Sequence, residues 1–509
     1  MTEENLDRHD LETRRYKLLL IRDGLIVGLL AGLLAVAYRF TLGQVDQFRN
    51  YLFADLSWSH VLIFILLFIP AAWGMDRLLR WAPYSNGSGI PQIRAELNHN
   101  IDPAPIPTIC SKFLGGLLAN ISGQFLGREG PSIQLGGMIT KIYARLTKRS
   151  PLETKHLLSA GASAGLAAAF NAPMSGVLFA MEEMHKSFSP YLLLPCVFSS
   201  LAANFISFKI LGNEPAFSFP IENRLPLNLL GFAVLLGALG GVLGSIFNTG
   251  LGKVTDWLKA LPISRFWIFL LLMLAMLPIG YFSTTMLGGG HHLIESLSEA
   301  SRPLYYLLFA LLLRLVFLWL AYGSGAQGGI FLPTLVLGAL LGAIVLHSFG
   351  IDVAYTHNFL YLGMAAVLSA VVRAPLLSIL LISEMSGSVH SFIAMTTTAM
   401  VAYVVAEILG TLPIYESLYN RLLKPLPKKV TMHDEPQLER LLVPGDFAYL
   451  NAPLKDIPFP SQCIIISIRR EHQNILPKAG TTLKAGDDLL LMINEGDIAK
   501  IAEFFHQEK

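Results

Sequence analysis

The segment Gly127–Gly136, GREGPSIQLG, returns 202 positions later as Gly329–Gly338, GIFLPTLVLG. The same step carries Gly161–Pro173, GASAGLAAAFNAP, onto Gly363–Pro375, GMAAVLSAVVRAP. It also carries Ala172–Glu182, APMSGVLFAME, onto Ala374–Glu384, APLLSILLISE. One register holds over three blocks without a gap, and proline, glycine and one acid keep their places. A chain constrained in this way folds as two related halves of roughly 200 residues that pack on one another. Both halves are very apolar, the pattern of a membrane protein built from internal repeats.

Of the 509 residues, 53% are hydrophobic and 15% charged, against roughly 25% charged in soluble domains. That excludes a water-facing globule for most of the chain. Leu225–Gly250 and Phe266–Leu287 carry no charge, and each exceeds the roughly 18 apolar residues that mark a spanning helix. Val61–Gly74, Phe113–Leu126 and Leu362–Val372 are apolar but shorter, with Gly and Pro recurring at their ends. They are predicted to be helices that stop inside the bilayer and line a cavity. The fold class expected is an all-α polytopic membrane protein with a small α+β domain at its C-terminus.

Lys and Arg number 38 against 36 Asp and Glu, so no bulk charge points to a nucleic-acid partner. Basic residues gather at Arg14, Arg15, Lys17 and Arg22, at Lys141, Arg145, Lys148, Arg149 and Lys155, and at Arg421, Lys424, Lys428 and Lys429. The positive-inside tendency puts all three groups, and with them both termini, in the cytoplasm. The opening MTEENLDRHDLETRRYK has no signal-peptide cleavage site. Cys110, Cys196 and Cys463 are scattered, which gives neither a disulfide framework nor a thiolate metal site. No metal and no cofactor are expected.

After Pro425 the composition changes. Cys463–Ile468 and Leu489–Ile493 read as strands, with turn residues at Lys478–Gly480 and Gly486–Asp488. Ile498–His506 reads as a closing amphipathic helix. The expected division is a cytoplasmic segment over 1–17, a membrane domain over 18–425 with halves of about 18–220 and 221–425, and a cytoplasmic domain over 426–509.

Glu129 stands between two glycines and next to a proline at the start of an apolar helix. A carboxylate there is a capping acid at a membrane surface, or a group kept inside the membrane for function. Its repeat counterpart is Phe331, so one half supplies a charge and the other a ring. Helix starts rich in Gly turn backbone N–H groups into a cavity and make an anion site without a cationic side chain. GSGIP at Gly87–Pro91 offers a third such start, with the Ser88 hydroxyl as a further donor; by itself Gly-Ser-Gly is also an ordinary turn. Glu182 and Glu183 end an apolar run, where a helix reaching the interface can carry acids. Glu182 has the counterpart Glu384, which favours a structural pair, whereas Glu183 matches Met385 and is the asymmetric acid.

GSGAQG at Gly323–Gly328 matches a dinucleotide fingerprint, but no soluble βαβ unit surrounds it. GASAG at Gly161–Gly165 matches a nucleophile elbow, yet lies in an Ala/Gly-rich apolar helix of the kind that serves close packing. His291 and His292 follow three glycines and read as surface histidines in a loop.

GSGIP (87–91), GREGP (127–131), GGIFLP (328–333) and the late PIY (413–415) together resemble the CLC family of chloride channels and chloride/proton antiporters, in correct order from about Leu18 to Pro425. The resemblance implies a homodimer with one pore per subunit and two antiparallel repeats around a mid-membrane anion site. It implies that Ser88 and Tyr415 are hydroxyl ligands of a central chloride, with the backbone amides of Ile330 and Phe331 completing the site. Glu129 is similar to the outer gating glutamate, and Glu183 to the inner proton-transfer glutamate of the exchangers. Channel members usually lack that inner acid, so chloride/proton antiport is the leading expectation, in a bacterial plasma membrane. Ser88 matches chloride-preferring members. The tail resembles the TrkA-C domain through LPKAGTTLKAGDDLLLM, which implies regulation or the sensing of a small-molecule ligand. No dinucleotide fingerprint lies in the tail, so no nucleotide is expected. A passive chloride channel regulated by the tail is the second reading, and an intramembrane serine hydrolase built on Ser163 a distant third.

Overall fold

The computed structural model describes residues 3–54, 58–212, 217, 219, 224–423, 436–445, 447–459, 463–470, 473–494 and 497–505. The expected boundaries near residue 220 and at Pro425 lie outside the described residues, as do Lys424, Lys428, Lys429 and His506. The chain divides into two compact units, Met1–Leu423 and Lys424–Lys509.

The first unit is helical. Its first half runs through α1 (Glu3–Ala54), α2 (Trp58–Trp81), α3 (Ile90–Leu97), α4 (Pro105–Ile121), α5 (Glu129–Leu146), α6 (Pro151–Phe170), α7 (Pro173–Leu178) and α8 (Pro190–Leu211). A π-helical turn, Phe179–His185, continues α7. The second half runs through α9 (Leu230–Ala260), α10 (Arg265–Phe282), α11 (His291–Glu299), α12 (Leu304–Gly323), α13 (Phe331–Ser348), α14 (Thr356–Val372), α15 (Pro375–Ser386), α16 (Phe392–Ile408) and α17 (Ile414–Leu422). Eight helices among the described residues are long and apolar enough to cross a membrane. This is a multi-pass membrane protein.

The 202-residue register is a structural symmetry. Helices α5 and α13 begin 202 residues apart and end 202 residues apart, and α7 and α15, like α8 and α16, begin 202 apart. The caps repeat as well. Asn171 and its counterpart Arg373 both end their helices in the left-handed region, at φ 56° and 66°. Within each half the two central helices touch backbone to backbone. A Cβ added at Gly136 would strike the carbonyl oxygen of Gly161, and one at the counterpart Gly338 that of Gly363. Small residues thus set the spacing of α5 against α6 and of α13 against α14, as close packing in membranes requires.

Three local expectations need correction. Val61–Gly74 is not a short interrupted segment but the middle of α2, which runs unbroken through Pro70 and ends on the charged turn holding Asp76 and Arg80. Leu362–Val372 is the second half of a 20-residue apolar stretch, Val353–Val372. In both cases polar residues that continue the helix hid its true length from an apolar count. His291 and His292 open helix α11 rather than sitting in a loop.

The second unit carries β1 (Pro436–Leu442), β2 (Cys463–Arg470), β3 (Gln473–Ile475), β4 (Asp488–Asn494) and α18 (Ile498–Phe505). The sheet order is β1-β4-β2-β3, with every neighbouring pair antiparallel. Ile468, Leu489, Leu491 and Ile493 from the sheet pack with Ile501 and Phe505 of α18 into a core of its own.

Candidate functional site

Three helix starts converge in the first unit. Gly127 and Gly329, repeat counterparts, form an antiparallel bridge in which each amide donates to the other's carbonyl at 2.7 Å. The starts of α5 and α13 therefore face each other across the symmetry axis. The turn before α3 reaches the same place, where a Cβ on Gly130 would lie 2.7 Å from the Ser88 Cβ. Gly89 takes φ +91°, a conformation glycine adopts freely. Helix-start N–H groups have no partner inside their own helix, so this convergence concentrates donors and positive dipole ends.

Ser88 is buried at the turn, and its Oγ receives only long hydrogen bonds, 3.4 Å from the Tyr322 hydroxyl and 3.4 Å from the Ile90 amide. Tyr415, at the start of α17, is 0% exposed, and among the described residues its hydroxyl has no hydrogen-bond partner. A buried hydroxyl without a partner is uncommon enough to require an explanation. It lies within electrostatic reach of Tyr322, Glu183 and Glu129. Ile330 caps α13 and Phe331 begins it, both buried, with the Phe331 ring 5.6 Å from that of Phe170.

Glu129 is 0% exposed, and among the described residues no side chain hydrogen-bonds its carboxylate oxygens. The Arg128 Nε stands 3.9 Å away, and the backbone N–H groups of Glu129 itself and of Leu332 point at the carboxylate. The acid thus occupies a region of donors suited to a free anion. Glu183 is buried on the π-helical turn, among the charges of Arg94, Lys186, Glu416 and Glu182. Lys186 Nζ pairs with Glu416 at 2.9 Å, and Arg94 lies 4.0 Å from the same carboxylate.

The residue match covers 71–407 for the family described as voltage gated chloride channel. The chain belongs to the voltage gated chloride channel family, the CLC proteins. A second match, to the TrkA-C domain, covers 438–506. The H(+)/Cl(-) exchange transporter ClcA of Yersinia pseudotuberculosis is 35% identical over 428 residues, spanning 78% of this chain and 86% of the relative. ClcA of Vibrio cholerae is 33% identical over 422 residues, spanning 79% and 89%. Among solved structures, a slow cyanobacterial Cl-/H+ antiporter superposes with a TM-score of 0.76 at 32% identity, covering 80% of this chain and 99% of that one.

Within this CLC frame the two neighbouring acids have separate places. Glu182 accepts from the amides of Leu376 at 3.1 Å and Leu377 at 2.6 Å, and so caps α15. Its counterpart Glu384 accepts from Met174 at 3.0 Å and Ser175 at 2.8 Å, and from the Ser175 hydroxyl, and so caps α7. Each repeat supplies the other's cap. Glu183 makes no such exchange.

Sequence reasoning missed Lys112, Tyr322, Arg94 and Glu416. Buried Lys112 donates to the carbonyl of Gly87 at 2.8 Å and holds the Ser88 turn from below. Its one sequence signal is a lone cation within the apolar helix α4. The Ser163 hydroxyl donates to the Gly176 carbonyl at 2.8 Å and ties α6 to α7. Among the described residues no three His, Cys, Asp or Glu side chains gather as a metal group.

Proposed function

We propose that this CLC protein exchanges chloride for protons across a bacterial plasma membrane, as a homodimer with one pore in each subunit and both termini in the cytoplasm. The observation that carries the reading is the Glu129 carboxylate, fully buried at the meeting of two helix starts, with the Arg128 guanidinium no nearer than 3.9 Å. Chloride and an ionised carboxylate compete for the same positive potential. Protonation neutralises Glu129 and leaves the donors to the anion, so proton and chloride occupancy are coupled, and reciprocally so. Ser88 and Tyr415 supply hydroxyls to a central chloride, with the amides of Ile330 and Phe331 completing its shell. Glu183 passes protons between Glu129 and the cytoplasm by a route apart from the anion path. The names of the ClcA relatives and of the cyanobacterial antiporter support exchange over passive conduction. The TrkA-C domain adjusts transport in response to a cytoplasmic small-molecule ligand.

The test is chloride efflux and proton uptake followed together in liposomes. Glu129→Gln mimics the protonated acid, so chloride flux persists while proton movement disappears. Uphill proton pumping by this variant would remove Glu129 from the mechanism.

A further inference from the structure

A cavity of about 320 Å³ lies beside Glu129, bordered by Gly127 and Arg128 and away from the start of α1. That placement follows from the contacts along α1. Its early residue Asp23 bonds Tyr143 and Arg149 at the far end of α5 from Glu129. Its late residue Arg49 bonds the Asn120 carbonyl and, with Asp46, lines the cavity. The walls include Arg39, Gln124, Arg128 and Gln327.

Two features of these walls lack an internal account. Gln124 and Gln327 are each 1% exposed, and among the described residues neither the oxygen nor the nitrogen of either carboxamide has a hydrogen-bond partner. Burying an amide without partners is unfavourable, because the water it loses is not replaced. The guanidinium groups of Arg39 and Arg128 also lie near one another, and among the described residues Arg39 Nη1 and Arg128 Nε make no hydrogen bond. The other charges at this mouth are matched locally. Asp46 pairs with Arg49 at 2.7 Å, and Glu295 holds His291 at 3.2 Å and His292 at 3.1 Å. Glu129 is the carboxylate acting on Arg39 and Arg128. Two cations thus share one acid, and two buried carboxamides without partners border the same cavity.

We infer that this cavity is an anion-binding site separate from the position of the Glu129 carboxylate, in which a chloride is held by Arg39, Arg128, Gln124 and Gln327 while Glu129 remains ionised in place. Guanidinium and amide donors together replace the hydration shell of a monovalent anion, and the anion offsets the surplus positive charge. The site lets a chloride wait beside the gate and enter when Glu129 is protonated. The inference rests on anion transport and not on proton coupling.

The test uses the full chain in liposomes, with chloride varied on one side at a time. Arg39→Gln is expected to raise the KM for chloride on the cavity side about tenfold, the weight of one charge-assisted hydrogen bond. The KM on the opposite side should move less than twofold, and Arg39→Lys should recover most of the loss. Equilibrium dialysis of radioactive chloride against detergent-solubilised protein should show one ion fewer bound in Arg39→Gln, and also in Gln124→Met. An equal KM shift on both sides, or unchanged ion occupancy in both variants, would overturn the site. Proton coupling lost in the parent protein would defeat antiport and leave the occupancy measurement standing.

Discussion

At the residue scale, two adjacent glutamates show how position divides identical chemistry. Glu182 spends its charge on the amides of Leu376 and Leu377, whereas Glu183 caps nothing and sits among Arg94, Lys186 and Glu416. In the proposed exchange Glu183 is a titratable relay and no ligand of the anion. Glu183→Gln is therefore expected to abolish proton movement in liposomes while chloride flux stays within a few-fold of the parent. Normal proton coupling in this variant would move the relay to another acid, with Glu416 the next to substitute. The repeat comparison already separated the two acids in the sequence, because only one of them recurs. The cluster around Glu183 was not legible, since Arg94 and Glu416 are 322 positions apart and meet only after folding.

At the scale of elements, the caps exchanged between repeats make the two short helices α7 and α15 depend on each other. Each acid accepts two backbone N–H groups at a helix start, where negative charge is favourable. Glu384→Gln is expected to lower stability by about 1–2 kcal/mol, read as a lower midpoint of thermal unfolding in detergent, with proton coupling kept. Glu182→Gln should behave alike, by symmetry. Loss of coupling without loss of stability would contradict the structural role. In the second unit, Asp487 is buried, which alone would push its carboxyl up. The Arg470 guanidinium, bonded to both oxygens at 2.7 Å, and the Lys484 amide at 2.8 Å outweigh burial and hold it below the usual range. Stability from this group is therefore complete above the ordinary carboxylate value of about 3.9 and is lost as pH falls through the lower folded value. Acid titration of the separate 424–509 domain by circular dichroism should show steeper unfolding below about pH 4 than in Asp487→Asn; matching curves would refute this.

At the scale of the whole molecule, the repeat explains why so many apolar side chains face outward. Leu193, Leu201 and Phe205 of α8 and Ile393, Met400 and Val404 of α16 are exposed on equivalent helices. Lipid or a second copy must cover them. Purified protein is expected to run at twice the chain mass by native mass spectrometry. Removal of residues 430–509 should leave that dimer intact and change its transport rate or its response to cytoplasmic conditions. A truncated chain that no longer forms a dimer would make the tail part of assembly and not of regulation.

The two-fold repeat, the apolar halves, the helix starts at 87–91, 127–131 and 328–333, and the β-rich tail were written in local order, so the sequence by itself determined them. Periodicity and short motifs depend on neighbours a few residues apart, and translation by 202 residues needs no fold to be seen. The bridge from Gly127 to Gly329, the mutual caps, the Lys112 support beneath Ser88 and the free amides of Gln124 and Gln327 belong to the tertiary structure alone. Each depends on which groups lose water together and which partner is left within reach. Only the closed packing of the two halves decides that.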